Sequence, residues 1–238
     1  MKIEELFRQL SLGELSNLSI SADGTGTIKP EQHEKIILYT QTGLDKLYGK
    51  FLLLEKQLTI TPLSGLMRYP LLAKHSIYGR EPTELSDPFI IDTEGEPFEE
   101  DVVKVLSAYD QDGRTVLLND ESAGFSLFTP APQVIQYPRE IPSWVSITSL
   151  VVTYQAKHPR LLVADLDQEF DLPSVLETAL RYFIAGSVYS HMNGEANTAK
   201  GLEFMAHYES SCAEVVDRDL VSQSGSAANH RFQRNGWI

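Results

Sequence analysis

The sequence predicts an α+β protein in which N- and C-terminal helices form one helical bundle with an inserted antiparallel β region. Apolar residues recur every three to four positions near the start of the chain, alternate in short runs in its middle, and return to helical spacing after residue 171. We therefore expect N-terminal bundle helices in residues 1–50, a β-rich region in 51–170, a C-terminal helical hairpin in 171–221 and a docking arm in 222–238.

The N-terminal segment is expected to contain two helices. The run MKIEELFRQL has the spacing of a short amphipathic helix, and residues 11–29 are rich in Ser, Gly and Thr, which is typical of a loop. Pro30 suits the first turn of a second helix, whose apolar stripe begins at Ile36. We expect this helix to end near Gly49.

The middle of the chain has the alternation of β-strands. The run FLLLEKQLTITP predicts a strand that stops at Pro62, and later runs rich in Val, Ile, Leu and Thr are separated by turn residues. Residues 110–113, DQDG, predict a hairpin turn. The last run, residues 160–171, alternates in the manner of an edge strand.

The C-terminal region returns to helical periodicity. Asp171 is a plausible N-cap, and Pro173 falls in the first turn of a helix that ends at Asn193-Gly194. The next helix is expected to carry one apolar face, made of Leu202, Met205, Tyr208, Cys212, Val215 and Val216. Small and core residues of this hairpin suit close helix packing or a subunit interface, and these are Ala185, Gly186, Ser190 and Tyr208.

The net charge of −13 is concentrated in one part of the chain. Residues 81–121 hold thirteen acidic residues against Lys104 and Arg114, which gives −11. Such a surface repels nucleic acid, since phosphate contacts need clustered Lys and Arg. A solvated loop is one interpretation. The other is an acidic segment with a role of its own, made of Glu94, Glu96, Glu99, Glu100 and Asp101.

The sequence contains no recognisable catalytic, cofactor-binding or metal-binding motif. Cys212 is the single cysteine, the six histidines lack HExxH spacing, and neither GxSxG nor a phosphate-binding glycine loop occurs. We predict that the protein is not an enzyme and has no cofactor. A small hydrolase remains an alternative, which would require His191 or His207 to meet a carboxylate in a buried cleft.

Targeting signals are also not evident. The N-terminal run has acidic residues where a signal peptide has basic ones, and no stretch reaches the roughly 20 apolar residues of a membrane helix. We expect a soluble chain that is cytoplasmic at synthesis and does not bind a membrane.

Residues 222–238 form an acid-free tail with apolar and cationic side chains. Large apolar residues gain roughly 1.5–3 kcal/mol each on burial, so we expect this arm to dock on a neighbour. Its anchoring residues are Arg231, Phe232, Arg234, Trp237 and Ile238.

The C-terminal hairpin contains a recognisable run of residues, which is Leu172-Pro173, Leu176-Glu177, Ala179-Leu180, Tyr182-Phe183, Ala185, Val188-Tyr189, Tyr208-Glu209 and Cys212. In this run the hairpin resembles the head-to-tail adaptor, or connector, proteins of tailed bacteriophages. The N-terminal helix that runs into FLLLEKQLTI and the hairpin ending in Asn119-Asp120 are similar to the same family.

The resemblance implies a structural virion protein and no active site. Such adaptors form a homo-oligomeric ring, typically dodecameric, in the neck between head and tail, after assembly in the host cytoplasm. The ring joins the capsid portal protein to a tail or nozzle protein, and DNA passes through it without sequence-specific binding. Residues 222–238 would be the portal-docking arm, and the β-rich region would contact the tail protein. The acidic segment would either line the DNA channel or face a basic tail protein. Another phage neck or tail ring protein, such as a tail terminator, is an alternative.

Overall fold

The computed structural model describes residues 1–18, 20, 26–79, 87–163 and 165–221. Within these ranges the chain forms two compact units. The helical unit consists of Met1–Leu53 and the chain from His158 onward, and the β unit is Leu54–Lys157. The α-helices of the helical unit are α1 (Ile3–Leu12), α2 (Pro30–Lys50), α3 (Ser174–Ser190) and α4 (Glu195–Asp217).

The β unit contains two antiparallel sheets and a short 3-10 helix at Ala73–His75. The five-stranded sheet has the order β3-β1-β8-β4-β5, and the three-stranded sheet has the order β2-β7-β6. The strands are β1 (Glu55–Ile60), β2 (Arg68–Pro70), β3 (Ile90–Ile91), β4 (Val102–Asp110), β5 (Thr115–Val116), β6 (Phe128–Ala131), β7 (Val134–Gln136) and β8 (Leu150–Ala156).

β8 is the central strand of the larger sheet. It pairs with β1 from Glu55↔Gln155 to Ile60↔Leu150 and with β4 on its other side. Val152 and Tyr154 lie on this strand and belong to the buried core of the β unit. The same core includes Tyr69 and Phe89, whose rings meet edge to face at 5.1 Å.

The predicted bundle of N- and C-terminal helices is wrong. The described chain has four helices and eight strands. Among the helices, α3 packs against α4, and α1 and α2 pack against α3. α3 buries residues on more than one side, because Leu180 and Phe183 meet α2 at Gly43 while Gly186 meets α4. The helices therefore pack in series on α3 and do not surround a shared core, a distinction that amphipathic spacing does not encode.

Several local predictions are confirmed and two are wrong. α1, α2 and β1 occur where the sequence predicted them, and the Asp110–Gly113 turn joins β4 to β5 with Gly113 at φ +76°. The predicted edge strand at residues 160–171 is wrong, since within its described residues only Glu169 forms an isolated bridge, to Lys2. The expected single apolar face of α4 is also wrong, since Leu202 and Val216 are exposed while Tyr208, Cys212 and Val215 are buried.

Candidate interaction surfaces

The predicted acidic segment lies in the loop that leads into β4, and its five carboxylates have different environments. Glu94, Glu96 and Glu99 are exposed. Glu100 has φ +57°, and its Oε1 accepts a hydrogen bond of 2.6 Å from the backbone N–H of Ala73 at the start of the 3-10 helix. Asp101 is largely buried and is the one carboxylate of the segment held by a short ion pair in the described chain.

Asp101 is held from two sides. Lys56 Nζ lies 2.7 Å from Asp101 Oδ2, and the Tyr154 hydroxyl donates a hydrogen bond of 3.0 Å to Asp101 Oδ1. Burial, followed by the nearby charge of Asp101, raises the pKa of Tyr154, so this hydroxyl stays protonated and acts as a donor. Lys56 also approaches Glu99 Oε2 at 4.0 Å. Asp101 thus ties β1 and β8 to the start of β4 and is unavailable as a free surface charge.

Asp92 organises the neighbouring loop with its two carboxylate oxygens. Oδ1 accepts the backbone N–H groups of Ile77 and Tyr78 at 2.9 Å, and Oδ2 accepts those of Gly79 at 3.0 Å and Phe98 at 2.9 Å. Partial burial raises the pKa of Asp92, but these hydrogen bonds outweigh it and hold the pKa below its ordinary value. A carboxylate committed to four backbone donors is a structural anchor and not a general base.

A pocket of about 150 Å³ is lined by Lys56, Ile91, Asp92, Phe98 and Tyr154 among others, and its lining includes no histidine. Lys56 and Tyr154 both bind Asp101, and Asp92 is committed to its four backbone donors. General acid–base catalysis needs two titratable groups in contrasting environments that face a substrate. Asp92 and Tyr154 are instead engaged in the framework of the β unit.

A larger groove of about 410 Å³ lies elsewhere on the β unit. One wall is the loop Pro62–Met67, the other contains Ile141 and Val145, and Tyr69 and Tyr137 also line it. Tyr137 is buried, and its hydroxyl makes no hydrogen bond to any residue that the structure describes. Burial raises the pKa of this hydroxyl, and the nearby Tyr69 raises it further.

Trp144 is the most exposed large apolar residue of the described chain. Its side chain is 72 % exposed, and Ile141 on the same loop is 45 % exposed. The loop is fixed by Gln111, whose Nε2 donates to the Ser146 carbonyl at 3.0 Å and whose Oε1 accepts the Thr148 N–H at 3.1 Å. A tryptophan presented to solvent from an anchored loop is an arrangement typical of protein interfaces. Sequence analysis missed Trp144, because a single apolar residue in a Pro-rich loop has no periodic signal.

The predicted helix-packing residues lie between α3 and α4 of their own chain. Ala185, Gly186 and Tyr208 are buried, whereas Ser190 is exposed. A Cβ at Gly186 would lie 3.0 Å from Met205 Cγ and 3.2 Å from the Gly201 carbonyl oxygen, so the glycine permits a close helix crossing. Of these four residues only Ser190 is exposed on the surface of the single chain.

The predicted docking arm, Arg231, Phe232, Arg234, Trp237 and Ile238, lies outside the described residues. The last described residues show how the chain leaves α4. Asp219 has φ +49°, its N–H donates to Val216 O, and the Leu220 N–H donates to Val215 O, both at 3.1 Å. This pair of bonds is a Schellman motif, which ends a helix by turning the chain away from its axis.

Neither histidine named for a hydrolase meets a carboxylate in a buried cleft. His191 Nδ1 lies 2.7 Å from the Ser187 carbonyl and its ring packs on Tyr39, whereas His207 Nε2 lies 3.7 Å from Glu203 Oε1 on the exposed side of α4. A separation of 3.7 Å exceeds hydrogen-bond length, and the pair is not in a cleft. Burial raises the pKa of the Cys212 thiol, which disfavours the reactive thiolate.

The described residues offer neither a metal site nor a membrane-spanning helix. Residues 1–18, 20, 26–79, 87–163 and 165–221 contain no group of three or more His, Cys, Asp or Glu side chains placed to hold a metal ion. No helix in these ranges has the length and apolar character required to cross a membrane. The sequence matches no protein-family model, and no curated protein is significantly similar to it.

Proposed function

We propose that this protein is a non-enzymatic structural subunit of a phage virion that forms a ring between the capsid portal and the tail. By the resemblance to head-to-tail adaptors, the ring has twelve copies. The observation that carries the proposal is Trp144, exposed at 72 % on a loop that Gln111 holds in place. Tryptophan is among the residues most enriched in interface hot spots. The sequence resemblance to head-to-tail adaptors supplies the identity of the assembly.

The β unit suits contact with a tail-side protein. Ile141 and Trp144 project from the loop beside the 410 Å³ groove, which gives an apolar surface with an adjoining concavity. The exposed carboxylates Glu94, Glu96 and Glu99 supply negative charge on the same unit. These carboxylates either repel DNA along a channel or complement a basic partner. Asp101 contributes little to either role, because Lys56 neutralises its charge.

The arm of residues 222–238 is the proposed portal contact. Its two arginines can bind carboxylates in pairs of hydrogen bonds, and its aromatic residues can fill pockets. The net charge of −13 is consistent with a ring through which DNA passes without being held.

The test is binding of the native chain to the portal and tail proteins of the same virion. Deletion of residues 229–238 should abolish portal binding while the folded units keep their circular dichroism spectrum. Trp144→Ala should weaken tail-side binding and leave portal binding intact, and Leu38→Ala, an exposed leucine on α2, is the matched control. Portal binding that survives the deletion would remove the arm assignment. Binding to a tail protein alone would favour a tail terminator.

A further inference from the structure

The 410 Å³ groove of the β unit has an uncharged lining. None of the twelve described residues that line it has a charged side chain, although residues 81–121 of the same unit carry a charge of −11. A charged group placed in the groove would lose its water without gaining an opposite charge, which is unfavourable. The groove therefore favours a neutral occupant.

Two tyrosines line the groove, and the hydroxyl of one of them is satisfied by its own chain. The Tyr69 hydroxyl accepts a hydrogen bond of 3.0 Å from the Leu63 N–H and donates one of 3.3 Å to the Leu63 carbonyl. A phenol has one proton to donate, and in Tyr69 this proton is already used. Tyr69 thus fixes one wall of the groove and has no donor left for an occupant.

The Tyr137 hydroxyl differs from that of Tyr69. Tyr137 is 5 % exposed, its hydroxyl oxygen is closed off from solvent, and it has no hydrogen-bond partner among the residues that the structure describes. Its backbone N–H donates to the Met67 carbonyl at 2.8 Å, so the residue is tied to the same wall while its hydroxyl is left over. A buried polar group without a partner is unfavourable, and it gains free energy from an acceptor that reaches it. Because burial raises its pKa, this hydroxyl keeps its proton and can donate.

The remainder of the groove suits apolar side chains. Leu66 lies in one wall and Val145 in the other, and Ile141 and Trp144 continue this apolar surface into solvent from the loop of Val145. The volume lies in the range of about 300–1,000 Å³ that is typical of ligand sites. A peptide segment with apolar side chains combines the two required properties, since each of its residues also brings a neutral main-chain carbonyl that accepts a hydrogen bond.

We infer that this groove binds a short uncharged peptide segment of the tail-side partner, with apolar side chains against Leu66 and Val145 and a main-chain carbonyl that accepts a hydrogen bond from the Tyr137 hydroxyl. The inference rests on the proposed function in assigning the segment to a tail-side protein. Because the hydroxyl oxygen is closed off in the free protein, the carbonyl reaches it after a local shift of the groove lining.

A model peptide tests the site without the partner. N-acetyl-Leu-Leu-amide, added to the native chain up to millimolar concentration, should shift the backbone NMR signals of Leu66, Met67 and Ile147 in a saturable manner. Tyr137→Phe should weaken this binding about 2–10-fold, as expected for one neutral hydrogen bond. Tyr78→Phe, an exposed tyrosine outside the groove lining, is the matched control and should keep the native affinity. N-acetyl-Lys-Lys-amide has the same carbonyls but charged side chains, and it should not shift these signals.

The stability of the free protein provides a second measurement. Tyr137→Phe removes a hydroxyl that has no described partner, so it should not lower the midpoint of urea unfolding. Tyr69→Phe loses both hydrogen bonds to Leu63 and should lower it. Equal destabilisation by the two substitutions would show that the Tyr137 hydroxyl is used within the chain and would refute the site.

The other outcomes also contradict the inference. It is overturned if the leucine peptide produces no saturable shift at the groove, if Tyr137→Phe binds it as tightly as the native chain, or if the lysine peptide binds the groove equally well. The proposed function is tested separately, by binding of the native chain to the portal and tail proteins. Failure of the groove to bind the peptide and failure of the proposed function are therefore distinguishable.

Discussion

Lys56 and Asp101 form a short ion pair at the edge of the predicted acidic segment, with 2.7 Å between Nζ and Oδ2 and side-chain exposures of 25 % and 11 %. The pair joins β1 to the residue that precedes β4, and the Tyr154 hydroxyl completes it from β8. One acidic residue of the segment is therefore part of the framework of the β unit, while its neighbours Glu96 and Glu99 remain at the surface.

Removal of Lys56 should destabilise the β unit. Lys56→Met keeps the aliphatic stem but leaves Asp101 without its cation in a largely buried position, which we expect to lower the free energy of unfolding by about 1–3 kcal/mol. Urea unfolding followed by circular dichroism measures the change. Glu99→Gln is the control, because its carboxylate is exposed and 4.0 Å from Lys56, and it should stay within about 0.5 kcal/mol of the native protein. Equal effects of the two substitutions would refute the role of Asp101.

Gly43 on α2 should not tolerate alanine. A Cβ at this position would lie 2.7 Å from Leu180 Cδ1 and 2.8 Å from Phe183 Cδ1 on α3. Overpacking should cost about 1–3 kcal/mol, and the gain in helix propensity offsets about 0.8–1.0 kcal/mol of this cost, so Gly43→Ala should destabilise the helical unit by up to about 2 kcal/mol. Gly49→Ala is the matched control in the same helix, where no atom lies within 4 Å, and it should be neutral or stabilising. Equal stabilisation by both substitutions would contradict the close approach of α2 to α3 at Gly43.

His158 should make stability depend on pH. Burial lowers the pKa of His158 in the folded protein, and the hydrogen bond to the Pro159 carbonyl with the charges of Asp45 and Asp171 opposes this only in part. In the unfolded chain the histidine has an ordinary pKa of about 6.5, so the unfolded chain binds more protons than the folded protein at pH values between the two pKa values. The stability that His158 contributes is therefore fully present above about pH 6.5 and is lost as the pH falls towards the folded pKa.

Unfolding free energies measured from pH 7.5 down to about pH 5 should fall less steeply in His158→Gln than in the native protein. A native slope in His158→Gln would show that His158 does not contribute, and NMR titration of the His158 ring would give the same answer without a substitution.

Replacement of Asp219 by glycine should stabilise the helical unit. Its φ of +49° is left-handed, which costs a residue with a Cβ roughly 1–2 kcal/mol, and glycine avoids this cost while losing about 0.4–1 kcal/mol through greater freedom of the unfolded chain. Asp219→Gly should thus raise the free energy of unfolding by about 0.5–1 kcal/mol. Asp219→Ala removes the same carboxylate but keeps a Cβ, so it should not show the gain. Equal stabilisation by both would assign the effect to charge at the helix end.

The sequence was informative wherever one residue type or one period dictates local structure. Pro30 and the stripe from Ile36 predicted α2, and Asp112-Gly113 predicted the β4–β5 turn, because these signals act over a few residues. The arrangement of the helices was not predictable in this way. Gly43 and Gly186 allow two helices to approach α3 from different sides, and only the folded chain shows which partner each glycine meets.

The surfaces were less predictable than the elements. The apolar spacing of α4 gave the same signal for its buried face and for the exposed Leu202 and Val216, since periodicity identifies apolar positions but not what covers them. The five acidic residues near β4 looked equivalent in the sequence, yet Asp101 is paired with Lys56 and Glu100 binds the Ala73 N–H. These pairings join residues 27 to 45 positions apart, beyond the reach of local patterns.

Electron microscopy of the native chain mixed with the portal protein of the same virion tests whether the subunit forms a ring on the portal. We expect closed rings of this subunit seated on the portal, with a mass from light scattering that matches many copies. A chain that stays monomeric both alone and with the portal, at concentrations where each protein is folded, would contradict it.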